Sequence, residues 1–367
     1  MPLKLSVIIL NYNVRYFLEL CLHSVEAATR LVDAEIIVVD NHSQDDSCEM
    51  VKALFPKVKL IENQENLGFS KGNNIGVAKA KGDYICILNP DTVVAEDAFR
   101  TLLKFAEAQN NFGSVGCRLI DGNGDFLPES KRNIPTPKVA INKIFGKTKG
   151  YYAAHLEAAA IGKVAVLVGA FMLLKRSVYQ QVGGFDEDYF MYGEDIDLSY
   201  KITQAGLDNY YHGETVAIHF KGESTLKDKT YAKRFYGAMQ IFYKKHFKRN
   251  LWFDTLVWFG IQLAKILQRR TSKTKLKFSK YAFVSDTENI KLKLKLKKPV
   301  SLVVMETPIS KETQLVFDAN VIPFKDIIAY FSDSEKNKNI TFKILPKNAN
   351  FILGSHSAKS RGEVITF

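Results

Sequence analysis

Three short polar clusters each follow a run of apolar residues. Asn11-Tyr12-Asn13 follows Leu5 to Leu10, Asp40-Asn41-His42-Ser43 follows Glu35 to Val39, and Asn89-Pro90-Asp91 follows Tyr84 to Leu88. Amides, hydroxyls and carboxylates of this kind can grip the polar groups of a ligand, or they can serve as ordinary turn and cap residues. Turn chemistry accounts for any one cluster; three in the same position after successive apolar runs mark a common edge. The densest acidic stretch lies further on, Phe185-Asp186-Glu187-Asp188-Tyr189-Phe190-Met191-Tyr192-Gly193-Glu194-Asp195-Ile196-Asp197. Acids that complement a helix dipole would explain one of Glu194, Asp195 and Asp197, but hardly all three. A final apolar run, Thr215 to Phe220, delivers His219.

The elements that must position these groups follow from periodicity. Leu5 to Leu10 is continuously apolar, and Val14, Phe17, Leu18, Cys21, Leu22 and Val25 then recur at helical spacing. The order repeats with a strand at Glu35 to Val39, a helix at about Asp46 to Leu54, and a strand at Val58 to Ile61. A glycine-bearing turn, a short helix around Ser70 to Ala80 and a strand at Tyr84 to Leu88 come next. Apolar strands alternating with helices imply a parallel sheet covered on both faces, in which ligands bind at the carboxyl ends of the strands. Asp121 to Tyr152 is a long irregular stretch of the kind that carries function. Val164 to Leu174 reads as one apolar strand, and the acidic run opens a helix that stops at Gly206.

With 367 residues, 46% hydrophobic and 25% charged, the chain has the composition of a globular protein and not of a disordered, collagenous or coiled-coil one. Cys21, Cys48, Cys86 and Cys117 form no C-x-x-C pair and read as reduced core thiols of a cytoplasmic protein. The first apolar run is too short for a signal-peptide core. The net charge of +12 is unevenly placed: Lys221 to Lys298 holds 21 Lys and Arg against five acids, leaving 30 against 34 elsewhere. Such a segment points to a localised anionic contact, a phospholipid surface or a phosphate-bearing substrate. Nucleic acid is not expected, because no binding motif for it appears. Tyr231 to Arg270 is helical, basic and aromatic, and its Leu251 to Leu267 portion suits an interfacial helix with Trp252 and Trp258 in the headgroup layer. The alternation Ile290 to Lys297 reads as a half-buried strand with a solvent-facing lysine edge.

Taken in order, VIILNYN, IIVVDNHSQD, Asn63 to Phe69 with Gly72-Asn73-Asn74, ILNPDTVV, GAFMLLKR, GGFDEDYFMYGEDIDLSYK and the strand ending in His219 resemble the inverting family 2 glycosyltransferases. The resemblance spans about residues 3 to 225, and the Asn-Pro-Asp and FDEDYFMYGEDIDL forms look most like rhamnosyltransferase-type members. It implies an α/β GT-A fold with a Rossmann-like mixed sheet over residues 1–230. A basic helical segment, 231–280, and a small α/β appendix, 281–367, are expected to follow.

The resemblance further implies a nucleoside-diphosphate sugar as donor, with Asn11, Tyr12, Asn13, Asp40, Asn66, Gly68, Asn73 and Asn89 on the nucleotide side. Asp91 and His219 become ligands of a divalent metal, Mg or Mn, that bridges the diphosphate. Asp195 is the first choice for the base that takes the acceptor's proton, and Glu194 the second. Asp186 and Glu187 are candidates for contacts to sugar hydroxyls, and Tyr192 for the acceptor side. The acceptor expected is a lipid-linked or cell-surface saccharide, reached from the inner face of the membrane. Asn89 stands where relatives usually carry the first Asp of Asp-x-Asp, so it brings no charge and weaker metal affinity is expected. That residue keeps open an alternative, a catalytically impaired sugar-nucleotide or carbohydrate-binding protein. A nucleotidyltransferase would open with a glycine-rich turn after the first strand, and Asn11 to Arg15 has no glycine. The oligomeric state is not readable.

Overall fold

The computed structural model describes residues 3–136, 139, 150–221, 229–247, 278–333, 340–355 and 362–367. Leu251 to Leu267, read above as an interfacial helix, lies outside these residues. Among the described residues no helix is long and apolar enough to cross a membrane.

The chain alternates as expected through β1 (Leu5–Asn11), α1 (Arg15–Thr29), β2 (Ala34–Asp40), α2 (Ser47–Leu54), β3 (Lys59–Glu62), α3 (Gly68–Ala78) and β4 (Tyr84–Leu88). It continues through β5 (Thr92–Val94), α4 (Ala98–Glu107), β6 (Phe112–Ile120), β7 (Ile161–Val164), β8 (Phe171–Lys175) and α5 (Arg176–Gln181). Then come α6 (Glu194–Gln204), β9 (Asp208–His219) and α7 (Lys229–His246). The first sheet runs β3-β2-β1-β4-β8-β6-β9-β5, with β7 against β9. β1 to β4 are parallel, whereas β8 is antiparallel to both β4 and β6. Apolar side chains fill both faces: Val7, Ile9 and Val38 pack on one side with α1, and Ile8, Ile37 and Val39 on the other. This is the mixed GT-A type of α/β sheet.

A second sheet follows, built from β10 (Lys280–Val284), α8 (Ile290–Lys295), β11 (Val300–Val303), β12 (Thr313–Asp318), α9 (Phe324–Ser332), β13 (Thr341–Leu345), β14 (Phe351–Gly354) and β15 (Glu363–Thr366). Its order is β11-β10-β12-β13-β14-β15. Phe317 and Phe342 of this sheet and Phe331 of α9 join the same apolar core as Phe17 of α1 and Phe220, which follows β9. The Glu96 carboxylate accepts hydrogen bonds from the amides of Phe324 and Lys325 at 2.7 and 2.8 Å, so an acid of the first unit caps α9 of the second.

Three expectations are corrected. Ile290 to Lys297 is not a strand: Asn289 accepts the Leu292 amide at 2.9 Å as an N-cap, and Leu292 and Leu296, one helical turn apart, are both buried. A two-residue alternation satisfies that spacing too, and here the cap decides. Val164 to Leu174 is two strands joined by a buried loop, because β7 pairs with β9 while β8 crosses between β4 and β6. The strand ending at His219 begins at Asp208, with a register shift opposite Cys117 and Arg118.

Candidate active site

The carboxyl edge of the first sheet does collect the polar clusters. Asn11 and Asp40 face each other in register at the ends of β1 and β2. The Asn89-Pro90-Asp91 turn leaves β4 and folds into β5, which pairs antiparallel with β9 so that Thr92 faces His219. Asp91 Oδ1 therefore lies 3.3 Å from His219 Nε2, and the Asn89 amide nitrogen is also 3.3 Å from it. The acidic run turns at Gly193, whose φ of 82° suits a residue without a side chain, and α6 starts with Glu194 and Asp195.

A cavity of 390 Å³, a size usual for small-molecule sites, lies between these ends. Tyr12, Asn66, Gly68, Asn89, Asp91, Tyr192, Glu194, Asp195 and His219 all line it. Asn11, Asn13, Asp40 and Asn73 are not among its lining residues. Asp40 is 2% exposed, and its carboxylate accepts the Asn11 amide and both the Ser43 N–H and hydroxyl, each at 2.7 Å. Asn13 accepts the Gln44 amide, and Asn73 donates to the Phe69 carbonyl. These four brace the wall behind the cavity by tying β1 to the turn after β2 and by closing the first turn of α3. The three aspartates expected to meet in one cleft thus resolve into two facing it, Asp91 and Asp195, and one, Asp40, engaged by its neighbours.

The acidic run divides by function. Asp186 and Asp188 pair with Lys245 of α7, and Asp197 binds His246 of α7 at 2.6 Å as well as Lys201 at 2.9 Å. Glu187 accepts from Asn74. Asp186, Asp188 and Asp197 hold α7 across the cavity, where Phe235, Ala238 and Met239 form a wall. Glu194 and Asp195 are left facing inward.

Arg132, which sequence reasoning missed, sits beside the acid pair. It is buried, and one guanidinium nitrogen lies 2.6 Å from both Asp195 Oδ2 and the Leu167 carbonyl. The Gly169 amide donates to the same Asp195 oxygen at 3.1 Å, while Oδ1 takes the Ile196 amide at 2.8 Å. Burial, the largest single influence, would lower the Arg132 pKa, but the Asp195 carboxylate and Tyr151 together outweigh it and the net shift is upward. Glu194 has no such partner. Burial first, then the Asp195 charge, pushes its carboxyl up to about 8, and Oε2 is buried without a hydrogen bond. One acid is paired and the other is held protonated at neutral pH, which is how adjacent carboxyls acquire different roles. Glu129 and Lys221, an ion pair at the far wall, were also missed, as was Tyr151.

At the other end, Asp91 Oδ1 and His219 Nδ1 are buried without hydrogen-bond partners. Among the described residues no group of three or more His, Cys, Asp or Glu could hold a metal by itself. A carboxylate and an imidazole with spare donor capacity do fit an ion whose remaining ligands are substrate phosphates and water, the usual habit of magnesium.

Residues 6–183, the segment that carries Asp40 and Asp91, match the family described as Glycosyl transferase family 2. This segment is a family 2 glycosyltransferase domain. The chain is similar, beyond that segment as well, to the N-acetylglucosaminyl-diphospho-decaprenol L-rhamnosyltransferase of Mycobacterium tuberculosis, at 28% identity over 242 residues, covering 61% of this chain and 78% of that protein. It is 33% identical to Rhamnosyltransferase WbbL of Escherichia coli over 163 residues, covering 42% of this chain and 61% of that one. Among solved structures, the mannosyltransferase PcManGT of Pyrobaculum calidifontis, in complex with GDP-Man and Mn2+, aligns with a TM-score of 0.47 and 18% identity over 74% of this chain and 77% of that one.

Proposed function

We propose that the protein transfers a sugar from a nucleoside-diphosphate sugar to a lipid-linked or cell-surface saccharide by a single inverting displacement. The observation that carries this reading is the facing of Asp91 and His219 against Glu194 and Asp195 across one cavity. Asp91 and His219 would hold a divalent cation, which supplies charge stabilisation to the departing diphosphate when bound. Tyr12, Asn66 and Gly68 take the nucleotide side.

Asp195 is the base. Arg132 and two backbone amides fix its orientation, and Oδ1, which accepts a single hydrogen bond, can receive the acceptor hydroxyl's proton. Glu194, protonated below about pH 8, donates a hydrogen bond to a sugar or acceptor oxygen instead. Rhamnose as the sugar and an acceptor built on a polyprenyl diphosphate are the readings favoured by the names of the relatives; a thymidine-diphosphate donor and work at the inner face of the cell membrane complete the proposal.

The test is a transfer assay across nucleoside-diphosphate sugars with a polyprenyl-diphosphate saccharide, with the product's anomeric configuration read by NMR. Inversion with a rhamnosyl donor supports the proposal, and retention of configuration refutes the single displacement. Asn89, which lowers the charge available to a metal, favours a second reading as a binding protein; calorimetric donor binding with neither transfer nor donor hydrolysis would establish it.

A further inference from the structure

The C-terminal sheet presents a surface that the transfer reaction does not use. α8 is anchored by Leu292 and Leu296, buried among Tyr281, Phe283 and Val316. At about 100° per residue, Ile290 and Leu294 fall within about 40° of each other and on the side away from Leu292. They are 68% and 82% exposed. Lys291 and Lys295 flank this stripe on one side and Lys293 on the other, and all three are exposed, as are Lys297 and Lys298. Lys293 pairs with Glu288 at 3.0 Å, and Glu288 is the only acid between 288 and 298 against five lysines. The neighbouring edge strand β11 adds Leu302, 41% exposed. Leu302 is in register with Phe283 and so lies on the sheet face that α8 covers. Val304, 61% exposed, follows directly.

A purely solvated helix face would not present isoleucine and leucine so fully, and burial in a folded partner would have to neutralise the lysine ring. We propose that the α8 and β11 edge docks on an anionic lipid bilayer, with Ile290 and Leu294 entering the headgroup and acyl boundary and the lysines reaching the phosphates. Apolar side chains ringed by snorkelling lysines are what an interfacial contact requires. A second copy of the chain suits this face poorly, since docking would set five lysines against five. The inference stands on this surface and does not depend on which sugar is moved.

Flotation of the full chain with phosphatidylcholine vesicles, with and without phosphatidylglycerol, tests it. The wild type is expected to float with the anionic vesicles, and less so as salt is raised. Ile290→Ser with Leu294→Ser is expected to lower partitioning at least about tenfold, and Lys291→Gln, Lys295→Gln and Lys297→Gln about fivefold for each lysine removed. Circular dichroism should be unchanged, because these side chains are exposed. The proposal is overturned if the variants float like the wild type, if the wild type floats with neither vesicle, or if ultracentrifugation shows the serine variant turning a dimer into a monomer.

Discussion

Arg132 and Asp195 are each 7% exposed and 2.6 Å apart, so their pairing can be measured as a coupling energy. Replacing Arg132 by Met leaves the Asp195 carboxylate buried with only the amides of Gly169 and Ile196, and leaves the Leu167 carbonyl without its donor. Removing one partner of a buried ion pair costs about 3 to 5 kcal/mol, chiefly for the charge left behind. Asp195→Asn alone strands the guanidinium and should cost a similar amount. The double variant removes both charges, so its loss should fall short of the sum by about 2 kcal/mol or more, within the range for residues in direct contact. Urea unfolding of the four proteins at pH 7 provides the cycle. Losses that add to within about 0.5 kcal/mol would show that the two side chains are independent, and the account of how the base is oriented would then be wrong.

The raised Glu194 carboxyl makes stability fall as pH rises. The folded state keeps a proton that the unfolded chain has lost above the ordinary value of 4.5, so stability should decline by about 1.4 kcal/mol per pH unit up to about pH 8. Glu194→Gln should flatten that decline in urea midpoints measured at pH 5 to 8, and parallel curves would contradict it. Gly68 has φ of 80°, and a Cβ there would lie 2.5 Å from the Phe190 carbonyl oxygen, so Gly68→Ala should cost about 1 to 3 kcal/mol in urea unfolding and weaken donor binding. Glu96→Ala removes both amide acceptors at the start of α9 and should cost about 1.5 to 3 kcal/mol by the same measurement.

The parallel half of the first sheet was legible because strands buried on both faces must be apolar throughout, and the polar residues that end them then stand out. The position of Asp91 at the cavity follows from that logic, whereas Glu194 and Asp195 stood out through the acidic run and the family resemblance, and His219 through the last apolar strand. Asp40 shows its limit: its place at the edge was readable, but its hydrogen bonds to Asn11 and Ser43 depend on backbone geometry after β2. The acidic run looked like a single chemical feature because its partners on α7 are far along the chain, His246 being 49 residues from Asp197. Arg132 lies in a loop without periodicity, where nothing distinguishes a buried guanidinium from the exposed basic residues around it. Residues 290–297 misled because apolar residues spaced by two are also spaced by four, and the capping role of Asn289 carried the deciding signal.

The central claim is that one end of the cavity holds the donor's diphosphate through Asp91 and His219 while the other serves the acceptor through Asp195. Calorimetric titration of a nucleoside-diphosphate sugar with manganese into the wild type, Asp91→Asn and Asp195→Asn tests it most directly. Asp91→Asn is expected to lose the manganese-dependent part of the affinity, and Asp195→Asn to bind as the wild type does. Wild-type affinity in Asp91→Asn, together with lost binding in Asp195→Asn, would contradict it.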